Sequence, residues 1–245
     1  MTIRARREHH HELDAREMPA YTTHEAARYV RVPENTLRAW VFGRRYPTRR
    51  GQGQASAAGL IQPADPLRHL LSFANLMELH VLRGLRRDHD VHMSRIRTAL
   101  GWLTRNYPAA HPLLNQSLET DGVDLFLQEY GTLINASRDG QLAMKAVFEA
   151  HLRRIQRDDQ GHPIRFFPFT RKMDQDAAQG SAQPRTVAID PRIAFGRPVI
   201  AGSRIPTIEV AERFTAGDSI AAIAADYECP TEKIEEAIRW EQVAA

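Results

Sequence analysis

The strongest constraint on the fold lies in Tyr21–Phe42, YTTHEAARYVRVPENTLRAWVF. It reads as two short helices around a tight turn. A hydroxyl at Thr22 or Thr23 can accept the unpaired amide hydrogens of a first helical turn. Pro33 fits the start of a second helix, where its missing N–H costs nothing. Glu25 and Glu34 stand near the two helix starts, where negative charge suits the helix dipole. Ala27, Val30, Val32, Leu37, Trp40 and Val41 form an apolar seam at roughly helical spacing. With that seam inward, Asn35, Thr36, Arg38 and Ala39 lie on or near the free side of the second helix. A helical pair inside an all-α core produces the same pattern, and so does a helix-turn-helix offering polar and cationic side chains to DNA.

The next residues bear on that choice. Gly43–Gly59, GRRYPTRRGQGQASAAG, carries four arginines and four glycines and few large apolar side chains. Such a stretch cannot build a core. It can form a basic hairpin, a wing lying along a nucleic-acid backbone, or a solvated linker. The candidate DNA contacts are therefore Arg28, Asn35, Thr36 and Arg38 in the helices, and Arg44, Arg45, Arg49 and Arg50 in the wing. Phosphate neutralisation by these arginines makes the expected binding strongly salt-dependent.

Charge is distributed in keeping with this. The chain of 245 residues has a net charge of only +3, but residues 1–60 carry +5, residues 61–180 carry +1 and residues 181–245 carry −3. A basic head and an acidic tail suggest different partners at the two ends. No apolar run reaches the roughly twenty residues of a membrane span, and the first residues lack the apolar core of a secretory signal. Cys229 is the single cysteine, which excludes an internal disulfide and disfavours a thiolate metal site. A cytoplasmic protein is expected.

Residues 1–18 read as a flexible polar tail whose His9, His10 and His11 are too loosely placed to make a good metal site. Residues 19–64 form the winged head. Asp65-Pro66 resembles a helix start, and an antiparallel helical pair is expected over 67–89 and 94–105. His89, Asp90 and His92 then fall in a turn and are better read as solvated than as metal ligands. Val123, Leu125 and Leu127 alternate with polar residues, predicting a β-hairpin over 119–140. A helix is expected over 141–157 and a short aromatic strand over 164–170, IRFFPFT. Interleaved Phe and Arg could stack on bases, but a core strand accounts for the phenylalanines more simply. The middle unit thus spans 65–172, followed by a polar linker over 173–184.

Residues 185–245 open with a strand at 186–189 and the turn-rich PRIAFGRPVIAGSRIPT, then predict three amphipathic helices over 208–215, 219–227 and 231–242. GRPVIAGSR superficially suggests a phosphate-binding loop, but the glycine spacing is one residue too long and the second glycine is followed by Ser203 and Arg204 instead of the required lysine. Val199-Ile200 suits a strand better. The last two helices could form a second helix-turn-helix. The last one is net acidic, however, and fits dimerisation or a basic protein surface better than DNA.

Here the residues meet known patterns. PRIAFGRPVIAGSRIPT with GDSIAAIAADYECPTEKIEEAIRW resembles a bacterial module of unknown function that recurs in antitoxin-like proteins encoded beside PIN-domain ribonuclease toxins. Pro191, Gly196, Pro198, Gly202, Arg204, Pro206 and Tyr227 carry the match. The head resembles the winged helix-turn-helix of MerR-type regulators through Thr23, Ala27, Val32-Pro33, Thr36-Leu37-Arg38 and Trp40. The two-part arrangement resembles the long, mycobacterial-type VapB antitoxins and departs from the short ones, so no toxin-contacting residue carries over by motif. The resemblance implies a homodimeric antitoxin of a type II pair that binds a PIN-domain toxin and operator DNA and represses its own operon. No catalytic constellation, metal site or cofactor is expected, since no carboxylate or Cys/His cluster has convincing spacing. A stand-alone MerR-like regulator with a ligand-sensing middle unit is the alternative. The expected fold class is α+β, mainly helical: a winged head, middle helices with a small antiparallel sheet, and a three-helix module.

Overall fold

The computed structural model describes residues 14–47, 54–87, 93–115, 123–134, 138–171 and 183–244. The histidines at 9–11, the His89, Asp90 and His92 group, Arg49 and Arg50, and most of the expected linker lie outside the described residues. The fold is mainly helical with small antiparallel strand pairs.

Helix α1 (Thr23–Val30) begins in a capping box: the Thr22 hydroxyl accepts from the Glu25 amide, and the Glu25 carboxylate accepts from the Thr22 amide. It ends where Arg31 turns left-handed. Helix α2 (Glu34–Val41) follows with Pro33 as its N-cap. The whole apolar seam is buried. Strands β1 (Arg44–Pro47) and β2 (Gln54–Ala57) pair antiparallel, with Arg44 opposite Ala57 and Pro47 opposite Gln54, and form the wing.

Asp65-Pro66 does not start a helix. The Asp65 carboxylate accepts from the amides of Leu67 and Arg68, Asp65 pairs with Leu70, and His69 adopts a φ of 56°. Helix α3 (Phe73–Arg87) starts instead after Ser72, whose hydroxyl accepts from the Asn75 amide while the Asn75 side-chain oxygen accepts from the Ser72 amide. After α4 (Met93–Asn106) and a short turn at Pro112–Leu114, the segment expected to be a hairpin is helix α5 (Val123–Ile134). The apparent alternation omitted Phe126, which with Tyr130 makes an i, i+4 pair. Both rings are fully buried and stacked 6.1 Å apart, and the Tyr130 hydroxyl donates to the Leu85 carbonyl. Helix α6 (Arg138–Leu152) ends before Ile155, which belongs to strand β3 (Ile155–Arg157) pairing with β4 (Pro163–Phe166). Within residues 65–172 the main helix contacts are α3 with α6, α4 with α5 and α5 with α6, not a simple α3–α4 pair.

The core reading of the aromatic strand holds, since Phe166, Phe167 and Phe169 are all buried. The buried Arg154 guanidinium donates to the carbonyls of Phe167 (2.6 Å) and Pro168 (3.0 Å), and also to those of Gln183 (2.8 Å) and Pro184 (2.9 Å). One side chain therefore holds both flanks of residues 172–182. Phe166 also pairs with Ile189, just past strand β5 (Val187–Ala188), which pairs antiparallel with β6 (Val199–Ile200). Helices α7 (Thr207–Thr215), α8 (Ile220–Asp226) and α9 (Thr231–Ala244) complete the chain, close to the expected bounds.

One hydrophobic cluster runs through most of the molecule. It extends from Tyr21 and Trp40 through α3 to α6 and reaches Val187, Ile189 and Trp240. Trp240 is fully buried, 6.4 Å from the Tyr29 ring, with the Arg31 guanidinium 5.0 Å from its centroid. A second link ties the chain's beginning to its middle: His111 lies between Glu78 (2.8 Å) and Glu17 (2.9 Å). Burial alone would lower the imidazole pKa, but the two carboxylates outweigh it and raise it to about 9.

Trp240→Ala is expected to cost about 3–5 kcal/mol in urea unfolding, the range for removing a buried indole. The His111 clasp has a defined pH signature. Its folded pKa lies above the unfolded value of 6.5, so its stabilisation is complete below about pH 6.5 and is lost as pH rises through about 9. Urea midpoints of the parent should fall across that window more steeply than those of His111→Gln.

Candidate nucleic-acid interface

The free side of α2 does not stand alone. Asn35, Thr36 and Ala39 form one wall of a groove of about 750 Å³ whose other walls come from the wing and from the adjoining ends of α3 and α4. The wing contributes Arg44, Tyr46 and Ser56, and the helix ends contribute Arg86, Ser94 and Arg97. Side chains alternate along a strand, so Arg44 and Tyr46 share the groove face and stack with the guanidinium 5.7 Å from the ring, while Arg45 points to the other face. Arg86 lies 5.5 Å over the Trp40 ring. Three arginines, several hydroxyls and an amide thus converge on one concave surface.

The remaining candidates divide. Arg38 is half-buried, donates to the Thr23 hydroxyl at 3.3 Å and lies 5.7 Å over Phe42, beside the groove. His24 pairs with Glu34 at 3.2 Å at the adjoining helix starts, and that contact holds the Glu34 carboxyl below its usual range. Arg28 does not face this surface. Its guanidinium pairs with the buried Glu241 carboxylate of α9, which also accepts from the Thr207 hydroxyl. Its assignment as a DNA contact is corrected accordingly: it is an internal link between head and tail. Arg86, Ser94 and Arg97 had not been singled out. The signal available was the run of arginines at 86, 87, 95 and 97 flanking the α3–α4 connection.

The motif residues of the C-terminal module mostly shape its turns. The Pro198 carbonyl accepts from the Thr207 amide at 3.0 Å, Pro206 caps α7, and Gly202 turns the chain at φ 84°. Tyr227 ends α8 beneath the Arg213 guanidinium, 5.4 Å away. Pro191 follows the buried Asp190, and Gly196 packs against Tyr21. Arg204 alone among them is a polar side chain left exposed. The acidic last helix spends its buried carboxylates internally: Glu241 on Arg28, and Glu236 on Arg171, Arg239 and the Thr170 hydroxyl. Among the described residues no group of three His, Cys, Asp or Glu side chains is placed to hold a metal, and no helix is long and apolar enough to cross a membrane.

Comparison with known proteins bears on this arrangement. Residues 19–100 match a family described as "Putative DNA-binding HTH domain", which takes in the head and both helix ends that line the groove. Residues 187–240 match a family described as "Protein of unknown function (DUF433)". "Putative antitoxin VapB45" of Mycobacterium tuberculosis is 32% identical over 244 residues, spanning 93% of this chain and 96% of that protein. The chain belongs to the VapB45 antitoxin family. The crystal structure of Rv2018 from Mycobacterium tuberculosis superposes with a TM-score of 0.63 at 26% identity, covering 91% of this chain and 98% of that one. This chain thus joins a helix-turn-helix head to the C-terminal module, each matched by its own family model.

The groove predicts a division of labour. Arg44→Ala and Arg97→Ala should each weaken duplex binding regardless of sequence and lower the salt slope by about one. Asn35→Ala should instead relax the preference at one base pair, by about 1–3 kcal/mol. Fluorescence anisotropy across a salt series, with matched and substituted duplexes, separates the two effects.

Proposed function

We propose that the chain is the antitoxin of a type II pair, neutralising a PIN-domain ribonuclease by direct binding and repressing its own operon by binding the promoter. The observation that carries this reading is the cationic groove formed by α2, the wing and the α3–α4 ends, on a chain of the VapB45 family. Helix α2 would enter the major groove and present Asn35 and Thr36 to base edges, while Arg38 and Arg44 hold the phosphates. Arg49 and Arg50, at the far end of the wing in sequence, extend the same cationic run.

Two heads of a symmetric dimer would read two half-sites. On this reading residues 19–64 are the MerR-like reader, 65–172 the scaffold, and 185–245 the toxin-facing module beyond the linker. The activity is stoichiometric, needs no cofactor and takes place in the cytoplasm, where promoter and toxin both are. The alternative of a ligand-sensing middle unit gains nothing from the aromatic strand, because Phe166, Phe167 and Phe169 are packed as core.

The test pairs two measurements on the purified chain. A duplex from upstream of its own gene should bind with strong salt dependence, and the PIN-domain protein encoded beside it should lose ribonuclease activity on adding one equivalent. Failure of the first removes the repressor role. Failure of the second, together with no growth rescue on co-expression, removes the antitoxin role.

A further inference from the structure

Phe195 is 93% exposed, and its backbone is one that large side chains rarely adopt. Ala194, Phe195 and Gly196 run at φ 48°, 57° and 76°, three left-handed residues in succession. Crowding between Cβ and the carbonyl oxygen disfavours such runs, so the surrounding structure must impose this one. It does so at several points. The amides of Ile193, Gly196 and Arg197 donate to the carbonyls of Asp190, Ile193 and Ala194. Asp190 is itself buried and ion-paired with Arg165 at 3.1 Å. Gly196 lies so close to the head that a Cβ there would stand 2.2 Å from the Tyr21 hydroxyl. The result is a rigid pedestal holding an aromatic ring in water.

The surroundings of the ring define what fits it. Arg192, Arg197 and Arg204 are exposed, and among the described residues none has a side-chain hydrogen bond or ion pair. Beside the turn is a cavity of about 270 Å³ with Ala188, Ile193 and Val199 as apolar lining and Ser203 and Arg204 among its polar groups. An exposed aromatic residue flanked in sequence by Arg192 and Arg197, with Arg204 on the adjoining cavity, has the composition of a protein-interface centre. A second copy of this chain meets it poorly, because a twofold axis would set three cations against three. A nucleic-acid strand already has a cationic surface of its own, in the groove of α2, the wing and the α3–α4 ends.

We propose that the Phe195 turn is the anchor on which an acidic protein surface docks, and that this partner is the toxin of the pair. The Phe195 ring seats in an apolar socket of the toxin, and Arg192, Arg197 and Arg204 meet carboxylates around that socket. The assignment rests on the antitoxin reading and locates the binding surface that reading requires.

Isothermal titration of the full chain with the adjacent PIN-domain protein, in a catalytically inactive form, tests it. Phe195→Ala should weaken binding roughly 30-fold or more, as expected for an interface hot spot. Phe195→Asn is the control for folding: Asn tolerates left-handed backbone, so it should match or exceed the parent's thermal midpoint while losing the same affinity. Combined Arg192→Gln, Arg197→Gln and Arg204→Gln should abolish the salt dependence of toxin binding and leave promoter affinity unchanged. If the parent binds the toxin and both Phe195 variants bind it equally well, the docking site is wrong and the antitoxin reading survives. If the parent does not bind the toxin, both fall. If Phe195→Ala dissociates a dimer in sedimentation, or weakens only promoter binding, the turn serves self-association or nucleic acid and the proposal is overturned.

Discussion

The contact between the last helix and the first is what the rest of the arrangement depends on. Trp240 enters the core beside Tyr29, Arg31 covers the indole, and Arg28 meets the buried Glu241. A carboxylate removed from water is tolerable only when its charge and lone pairs are satisfied, and Glu241 meets this with Arg28 on one side and Thr207 on the other. Helix α1 is therefore held from both sides. One flank carries the seam shared with α2, and another is occupied by a residue from near the end of the chain. A head fragment cut loose from the tail would leave Tyr29 uncovered and Arg28 without its counter-charge.

That fixation matters for α2, because a helix reads base edges only if its approach angle is set. The wing hydrogen-bonds to itself, the Trp40 ring closes the seam, and Arg86 lies over that ring where α3 ends. The groove is therefore assembled from three separate stretches of chain. Its cations do different work according to their surroundings. Arg44 and Arg97 line open space, Arg38 is steadied by Thr23 and Phe42, and Arg28 is withdrawn into the interior.

Much of this was legible in the residues because the signals are local. The Thr22–Glu25 cap, Pro33, the glycine-and-arginine wing and the Pro–Gly turns of residues 191–206 each act within a few positions, and each appears where the sequence placed it. The β-hairpin expected at 119–140 failed because three alternating apolar residues were weighed above the Phe126–Tyr130 pair, whose helical spacing is rewarded only once α4 and α6 pack against it. Asp65-Pro66 misled in the same way, since an Asp that can cap a helix can equally close a turn on its own following amides. The fate of Arg28 was beyond any local signal: its partner lies 213 residues away. The groove was half legible, with the arginines of the α3–α4 ends visible as a cluster but not their position opposite the wing.

Arg154 has a consequence for how this chain can vary. By donating to carbonyls at 167, 168, 183 and 184, it fixes the two ends of the intervening segment beside each other. Lengthening a connection whose ends are already fixed costs only about 0.6 kcal/mol per doubling. The separation of the flanking modules is thus set by this guanidinium, together with the Phe166–Ile189 pairing, rather than by the number of residues between them. Insertions and deletions within 172–182 should accumulate among relatives without moving either module, making this the natural place to graft a tag, a fluorophore or a protease site.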